Sequence, residues 1–248
     1  MRALIAGWAA IGVLATATMA APTYYKEAVD GTVGALSRPI LAGDLIGGMF
    51  GTVEAGGFHA ATPPPGEVDL TDGIEGAGVE AVLADYLNPS LQIRYDFAQP
   101  IDITKIRVFA SNPAIGQPYN SRTYQNYDLE YMVDGDATTY TLLQYVRSTD
   151  YGQWNGSTEF VGSTLTEIYD DAATFVLQDV VQLRFRFYCV GQTTGGFWDP
   201  WDPGHPEDVD GQNAAFEASI IKEIDVLPEP ASLLLVGLGG LALLRRRQ

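Results

Sequence analysis

The sequence predicts an all-β fold, an antiparallel β-sandwich, on three observations. Period-two alternation of apolar and polar residues recurs through the middle of the chain, turn residues separate the alternating runs, and no convincing amphipathic helix interrupts them. Glycine (27), proline (14) and tyrosine (13) supply the turns and strand positions such a fold needs. No fixed-period repeat is visible, which disfavours a propeller or a solenoid.

Residues 1–21 stand apart from that fold. Arg2 supplies one positive charge, residues 3–13 are apolar, and small residues follow at Thr18 and Ala20. This is the pattern of a secretory signal peptide, with cleavage expected after Ala20 or Ala21; a buried N-terminal helix is the alternative. Residues 22–67 read as lead-in strands and loops, cut into short pieces by glycine pairs at 47–48 and 56–57 and by prolines at 63–65.

The sandwich itself is expected over residues 68–227. Leu91, Ile93, Tyr95 and Phe97 alternate with Gln92, Arg94 and Asp96, so the first group faces the core. A second strand is expected over 104–110. Residues 127–133 run into an Asp134-Gly135-Asp136 turn, and 139–146 return as the other arm of a hairpin. Over 180–190, Leu183, Phe185 and Phe187 face inward with Arg184 and Arg186 outward, and 218–227 closes the series with Ile220, Ile224 and Val226 apolar.

Composition narrows the function. At 46% hydrophobic and 18% charged residues, the chain can bury a core. Fourteen lysines and arginines against 31 acids give a formal charge of −17 and a pI near 4.2. Such a surface repels phosphate backbones, so no nucleic-acid partner is expected. Two histidines and one cysteine leave no material for a His-rich metal site or a disulfide framework. Cys189, inside the strand-like run 183–190, reads as a buried inert thiol.

The C-terminus carries Pro228-Glu229-Pro230, then 14 uncharged residues from Ala231 to Leu244, then arginines at 245–247. Fourteen helical residues reach ~21 Å, short of the ~30 Å hydrocarbon core, so 231–244 suits transient membrane contact more than permanent transmembrane anchoring. The arginines would stay cytoplasmic. This ordered set of features resembles the PEP-CTERM sorting signal of Gram-negative and related bacteria. The resemblance implies recognition by an exosortase-type processing enzyme, removal of the tail, and delivery to the cell surface or an exopolysaccharide matrix outside the cell.

A second resemblance covers roughly 68–227. Residues 70–73, 91–109, 122–135 and 220–226 are similar to the opening, central hairpin and closing strand of the galactose-binding-like family, which includes discoidin domains and bacterial carbohydrate-binding modules. That likeness implies the family's jelly-roll β-sandwich. The chain departs from that pattern in lacking a tryptophan soon after Asp72-Gly73, and in a long loop over 191–214. The resemblance implies a structural calcium ion (Ca2+) beside the Asp-Gly turn, with Asp72 and Glu223 as ligands and carbonyls near 70–75 completing the oxygen shell. Read without the resemblance, Asp72-Gly73 is a tight turn and Glu223 a solvated edge charge.

The long loop holds Phe197, Trp198 and Trp201 together with Asp199, Asp202 and Asn213. Indole faces stack on the C–H faces of sugars, while carboxylates and amides accept hydroxyl hydrogen bonds; the same aromatics could instead anchor the loop. Tyr119, Tyr124 and Trp154 lie in or near other connections, and Asn120 and Arg122 could hydrogen-bond a ligand or, for the arginine, pair with an acid. No nucleophile elbow, phosphate-cradling loop or zinc-spaced histidine pair is present, and no catalytic residues are expected. The sequence thus favours a secreted, non-catalytic module that recognises a glycan or exopolysaccharide through its loops. A structural matrix protein is the alternative, and a glycan-active enzyme a distant third.

Overall fold

The computed structural model describes residues 22–29, 32–59, 62, 66–74, 90–111, 123, 125–136, 138–146, 162–171, 175–191, 215–217 and 219–228. Its strands are β1 (Thr23–Val29), β2 (Thr52–Gly56), β3 (Ser90–Ser111), β4 (Tyr127–Val133), β5 (Thr141–Val146), β6 (Ser163–Tyr169), β7 (Leu177–Tyr188), β8 (Val190–Gly191), β9 (Ala215–Glu217) and β10 (Ile221–Pro228). Every pairing between them is antiparallel. The two strands expected over 91–97 and 104–110 are a single 22-residue strand, β3.

That long strand joins the two layers of the sandwich. Up to Asp96 it lies between β2 and β7; beyond Ile103 it lies between β10 and β6. The pairing with β7 slips between Asp96 and Ile101, where Pro100 has no N–H to give the ladder. On β7 the same corner is marked by Asp179 at φ 53°. One layer is therefore β2-β3-β7-β4-β5 and the other β10-β3-β6-β1.

The alternation read from sequence is what fills the space between them. Leu91, Ile93, Tyr95, Leu129, Leu183, Phe185 and Phe187 from the first layer meet Ile106, Val108, Ala110, Ile168, Ile224 and Val226 from the second in one buried cluster. Tyr95 meets Phe185 edge-on at 6.2 Å, and Tyr127 lies 5.2 Å from Phe187. Outward-facing Arg184 pairs with Glu130 across the strands at 2.6 Å, while its guanidinium stacks 3.4 Å from the Tyr140 ring.

Strand β6 is absent from the sequence reading because it has no solvent face. Six of its seven residues are buried, Thr164, Thr166 and Glu167 among them. Residues 32–49 cross its outer side as a strap without sheet pairing of its own. Val33 and Leu36 of the strap pack on Phe109 and Leu165, and Ile46 reaches the main core. Polar side chains on that covered face then need partners, which the strap also supplies. Cys189 is buried, as expected.

Candidate functional site

The outer face of the second layer carries a row of charge. Asp225 on β10 sits opposite Arg107 on β3, and Arg107 opposite Glu167 on β6. Glu223 shares this face with Asp225 by regular alternation, two residues apart with no shift between them. The register shift lies between Ile221 and Glu223, and it is what lets Ile221 face the core although it has the same parity as the two acids. Ile221, Ile224 and Val226 keep the core side.

The strap brings the third carboxylate. Asp44 Oδ1 accepts hydrogen bonds from the N–H groups of Ile46 (2.8 Å) and Val226 (3.1 Å), closing a turn that locks onto β10. The Leu45 N–H donates to the Val226 carbonyl at 2.8 Å. One carboxylate oxygen each from Asp44, Glu223 and Asp225 lie within 4.8 Å of one another.

Each of the three acids commits one oxygen to a backbone amide and leaves the other unmet. Asp225 Oδ2 accepts from the Leu41 N–H at 3.1 Å, and Glu223 Oε2 from the Gly73 N–H at 3.1 Å. Asp44 Oδ2, Glu223 Oε1 and Asp225 Oδ1 are buried with no hydrogen-bond partner. Orphaned carboxylate oxygens inside a protein are costly, and three together repel one another. Burial first, then the charge of Asp225, pushes Glu223 up to about 10. Burial and the charge of Asp44 push Asp225 up to about 7, against the opposing effect of Arg107, and burial raises Asp44 as well. An oxygen-only donor set of this charge suits a hard cation such as calcium, not a soft or imidazole-seeking metal.

Of the two sequence-derived metal candidates, Glu223 lies at the centre of the cluster. Asp72 lies beside it: Asp72 Oδ1 accepts the Ile74 N–H at 3.0 Å, tightening the turn whose Gly73 N–H holds Glu223, and the charge of Asp72 helps raise Glu223. Gly73 adopts φ 78°, and a Cβ there would stand 2.7 Å from Ala42 Cα of the strap. Gly73→Ala should therefore lower stability by about 1–2 kcal/mol, read as a lower urea midpoint at unchanged slope.

Asp44 and Asp225 are the members that sequence reasoning missed. Asp225 was visible as a polar position between Ile224 and Val226. Asp44 sits in a segment with no periodicity, and only its turn-forming residue type marked it.

Trp198, Trp201, Asp199, Asp202, Asn213, Tyr119 and Arg122 lie outside the described residues. The residues that bracket their segments are described, and they converge. Ser111, which precedes 112–122, accepts through Oγ from Ser163 Oγ at 2.9 Å and donates its N–H to the Ile220 carbonyl. Thr123, which follows that segment, accepts from Thr164 Oγ1 at 2.6 Å. Gln125 donates to the carbonyl of Val108 in the second layer, and the Tyr188 N–H in the first layer donates to Asn126. Val146 pairs with Tyr127, and Gly191 with Ala215. Segments 112–122, 147–161 and 192–214 thus leave and re-enter at one end of the sandwich, the end remote from the corner in β3.

Residues 226–248 match a family model described as the PEP-CTERM protein-sorting motif. The tail is a sorting signal. Among the described residues no helix is long and apolar enough to cross a membrane. Comparison with curated proteins gives no match. Among solved structures, the chain is similar to the family 32 carbohydrate-binding module from Streptococcus pneumoniae EndoD, with 13% identity and a TM-score of 0.42 over 75% of this chain and 99% of that one. It is also similar to the CBM32-1, CBM32-2 and M60 catalytic domains of Clostridium perfringens ZmpB, with 12% identity and a TM-score of 0.34 over 73% of this chain and 14% of that one. At these identities and scores the likeness fixes no function.

Proposed function

We propose that this protein is an exported, non-catalytic binding module, sorted to the cell surface or extracellular matrix, which takes a glycan at the loop end of its sandwich. The observation that carries the reading is the convergence just described. Three segments bearing Tyr119, Trp154, Trp198 and Trp201 spring from one end of a rigid scaffold, and the chain ends in a sorting motif. Scaffold-mounted loops are where recognition concentrates. Aromatic faces for the sugar ring, with Asp199, Asp202, Asn213 and Arg122 for its hydroxyls, are the chemistry a neutral polar polymer requires.

In the same reading Asp44, Glu223 and Asp225 hold calcium, with carbonyls of the Leu70–Gly73 turn completing its shell. Bound there, the ion would offset two of the three carboxylate charges, with Arg107 beside Asp225 opposing the third, and would tie the strap to the closing strand; its role is structural, not catalytic. Exosortase-type processing would remove the tail after transient membrane contact through 231–244.

A glycan array and polysaccharide-gel screen of residues 22–228, with calcium present, tests this. Saturable binding is expected, weakened at least about tenfold by Trp201→Ala or Trp198→Ala, since an aromatic stacking contact contributes on the order of 1–2 kcal/mol and loss of 1.4 kcal/mol is tenfold. The melting temperature should stay at the parent value. Loss of folding in either variant would show that the tryptophans anchor the loop. A blank screen on a folded parent would remove the glycan and leave a structural matrix protein.

A further inference from the structure

Thr23 and Pro228 lie at one end of the sandwich, and the residues that flank segments 112–122, 147–161 and 192–214 lie at the other. Thr23 pairs with Tyr169, Tyr169 with Lys105, and Lys105 with Leu227, while Pro228 pairs with Ile103. Thr104 Oγ1 donates to the carbonyls of both Leu227 and Pro228, at 3.1 and 3.0 Å. These contacts sit at the corner where β3 passes from one layer to the other. At the far end of the same strands, Val29 pairs with Ser163 and Ser163 with Ser111. Six residues of strand separate Lys105 from Ser111, or ~20 Å at 3.3 Å per residue.

We propose that the protein is displayed with its corner end against the anchoring surface and its loop end outward, so that its partner is a polymer of the surroundings and not the membrane that holds it. This rests on the sorting reading above and adds a direction to it. Beyond Pro228 only Glu229 and Pro230 precede the apolar run, and two residues span at most ~7 Å. While the tail is held, the corner end lies within about one Debye length of the headgroups.

The charge at that end prevents adsorption and does not choose the orientation. Asp96, Asp134, Asp136 and Asp179 are exposed there, with the Asp134 N–H bonded to the Asp179 carbonyl across the corner. An anionic end facing anionic headgroups stands off and does not adsorb, which leaves the short tether to set the orientation.

The test uses the exported full-length chain retained on spheroplasts, with Cys189 buried and silent. Thr32→Cys places a thiol at an exposed position near the loop end, and Asp134→Cys one at the corner end; neither side chain belongs to the carboxylate cluster. Rates of reaction with a ~5 kDa maleimide-polyethylene glycol are compared before and after detergent release. The Thr32→Cys rate should be unchanged by release. The Asp134→Cys rate should rise at least about fivefold. Equal rates at both sites before release, or protection of Thr32→Cys in place of Asp134→Cys, would overturn the orientation while leaving the sorting reading intact. A chain that is not exported, with neither thiol labelled on intact spheroplasts, would overturn both.

Discussion

Calcium should raise the melting temperature of this protein, and the rise should grow with pH. Three acids with one oxygen each within 4.8 Å cannot all ionise in a dry site without a counter-charge. In the metal-free protein the raised carboxyls therefore hold protons that the unfolded chain has released. The folded state binds more protons than the unfolded state from the ordinary carboxylate range up to about 7 for Asp225 and about 10 for Glu223. The cluster's contribution to metal-free stability is then fully present below the ordinary carboxylate range and declines as pH rises from 5 to 8.

Calcium reverses the sign, because it binds the ionised form and competes with protons. At a free concentration 100-fold above Kd it adds about 2.7 kcal/mol, or about 5–11 °C for a domain of this size. Little shift is expected at pH 5, and the full shift at pH 8. Glu223→Gln separates this from a generic salt effect. The amide keeps an oxygen for the Gly73 N–H but removes the most strained charge. The variant should lose the calcium response, and without metal at pH 8 it should melt no lower than the parent. A parent whose melt is the same in calcium and EDTA at pH 8 would remove the ion, leaving a cluster that shares protons.

How much of this could be read beforehand divides along physical lines. Strands that keep one face dry and the other wet announce themselves, so Leu91–Tyr95 and Leu183–Phe187 emerged with the correct faces inward. Strand β6 did not, since Thr164, Thr166 and Glu167 are polar residues made buriable by partners far along the chain. Glu223 was legible only through a family pattern. Its outward position follows from alternation with Ile224 and Val226, but no local signal in Ile221-Lys222-Glu223 shows that the strap covers that face and buries the carboxylate. Asp44 became a site residue only once the strap was seen to cross β10, a long-range contact that no window of sequence contains.

The same covered face supports the other large expectation: Glu167→Ala should cost about 3–5 kcal/mol, or about 6–20 °C in melting temperature. Glu167 is 1% exposed, and three cations meet on it, Arg38 from the strap and Lys105 and Arg107 from β3. Arg107 Nε donates to one oxygen at 2.6 Å; Arg38 Nε donates to the other at 3.0 Å, with Lys105 Nζ 3.5 Å away. Arg107 also reaches the Pro39 carbonyl, and the Arg38 guanidinium lies 3.6 Å over the Tyr25 ring, so the carboxylate is the hub joining strap, β1, β3 and β6. Without it, Arg107 is left buried beside Asp225 as its remaining acidic neighbour in the row. Urea denaturation of Glu167→Ala should show the loss as a lower midpoint. Glu167→Gln, which can still accept one of the donors, should fall between. If the loss were under about 1 kcal/mol, the strap would be held by Val33, Leu36 and Ile46 through apolar contact alone, and the ionic row would only specify its register. The two experiments also constrain each other. If Arg107 turns fully to Asp225 when Glu167 is removed, it places a positive charge against the cluster, and calcium affinity should fall in Glu167→Ala even though no ligand has changed.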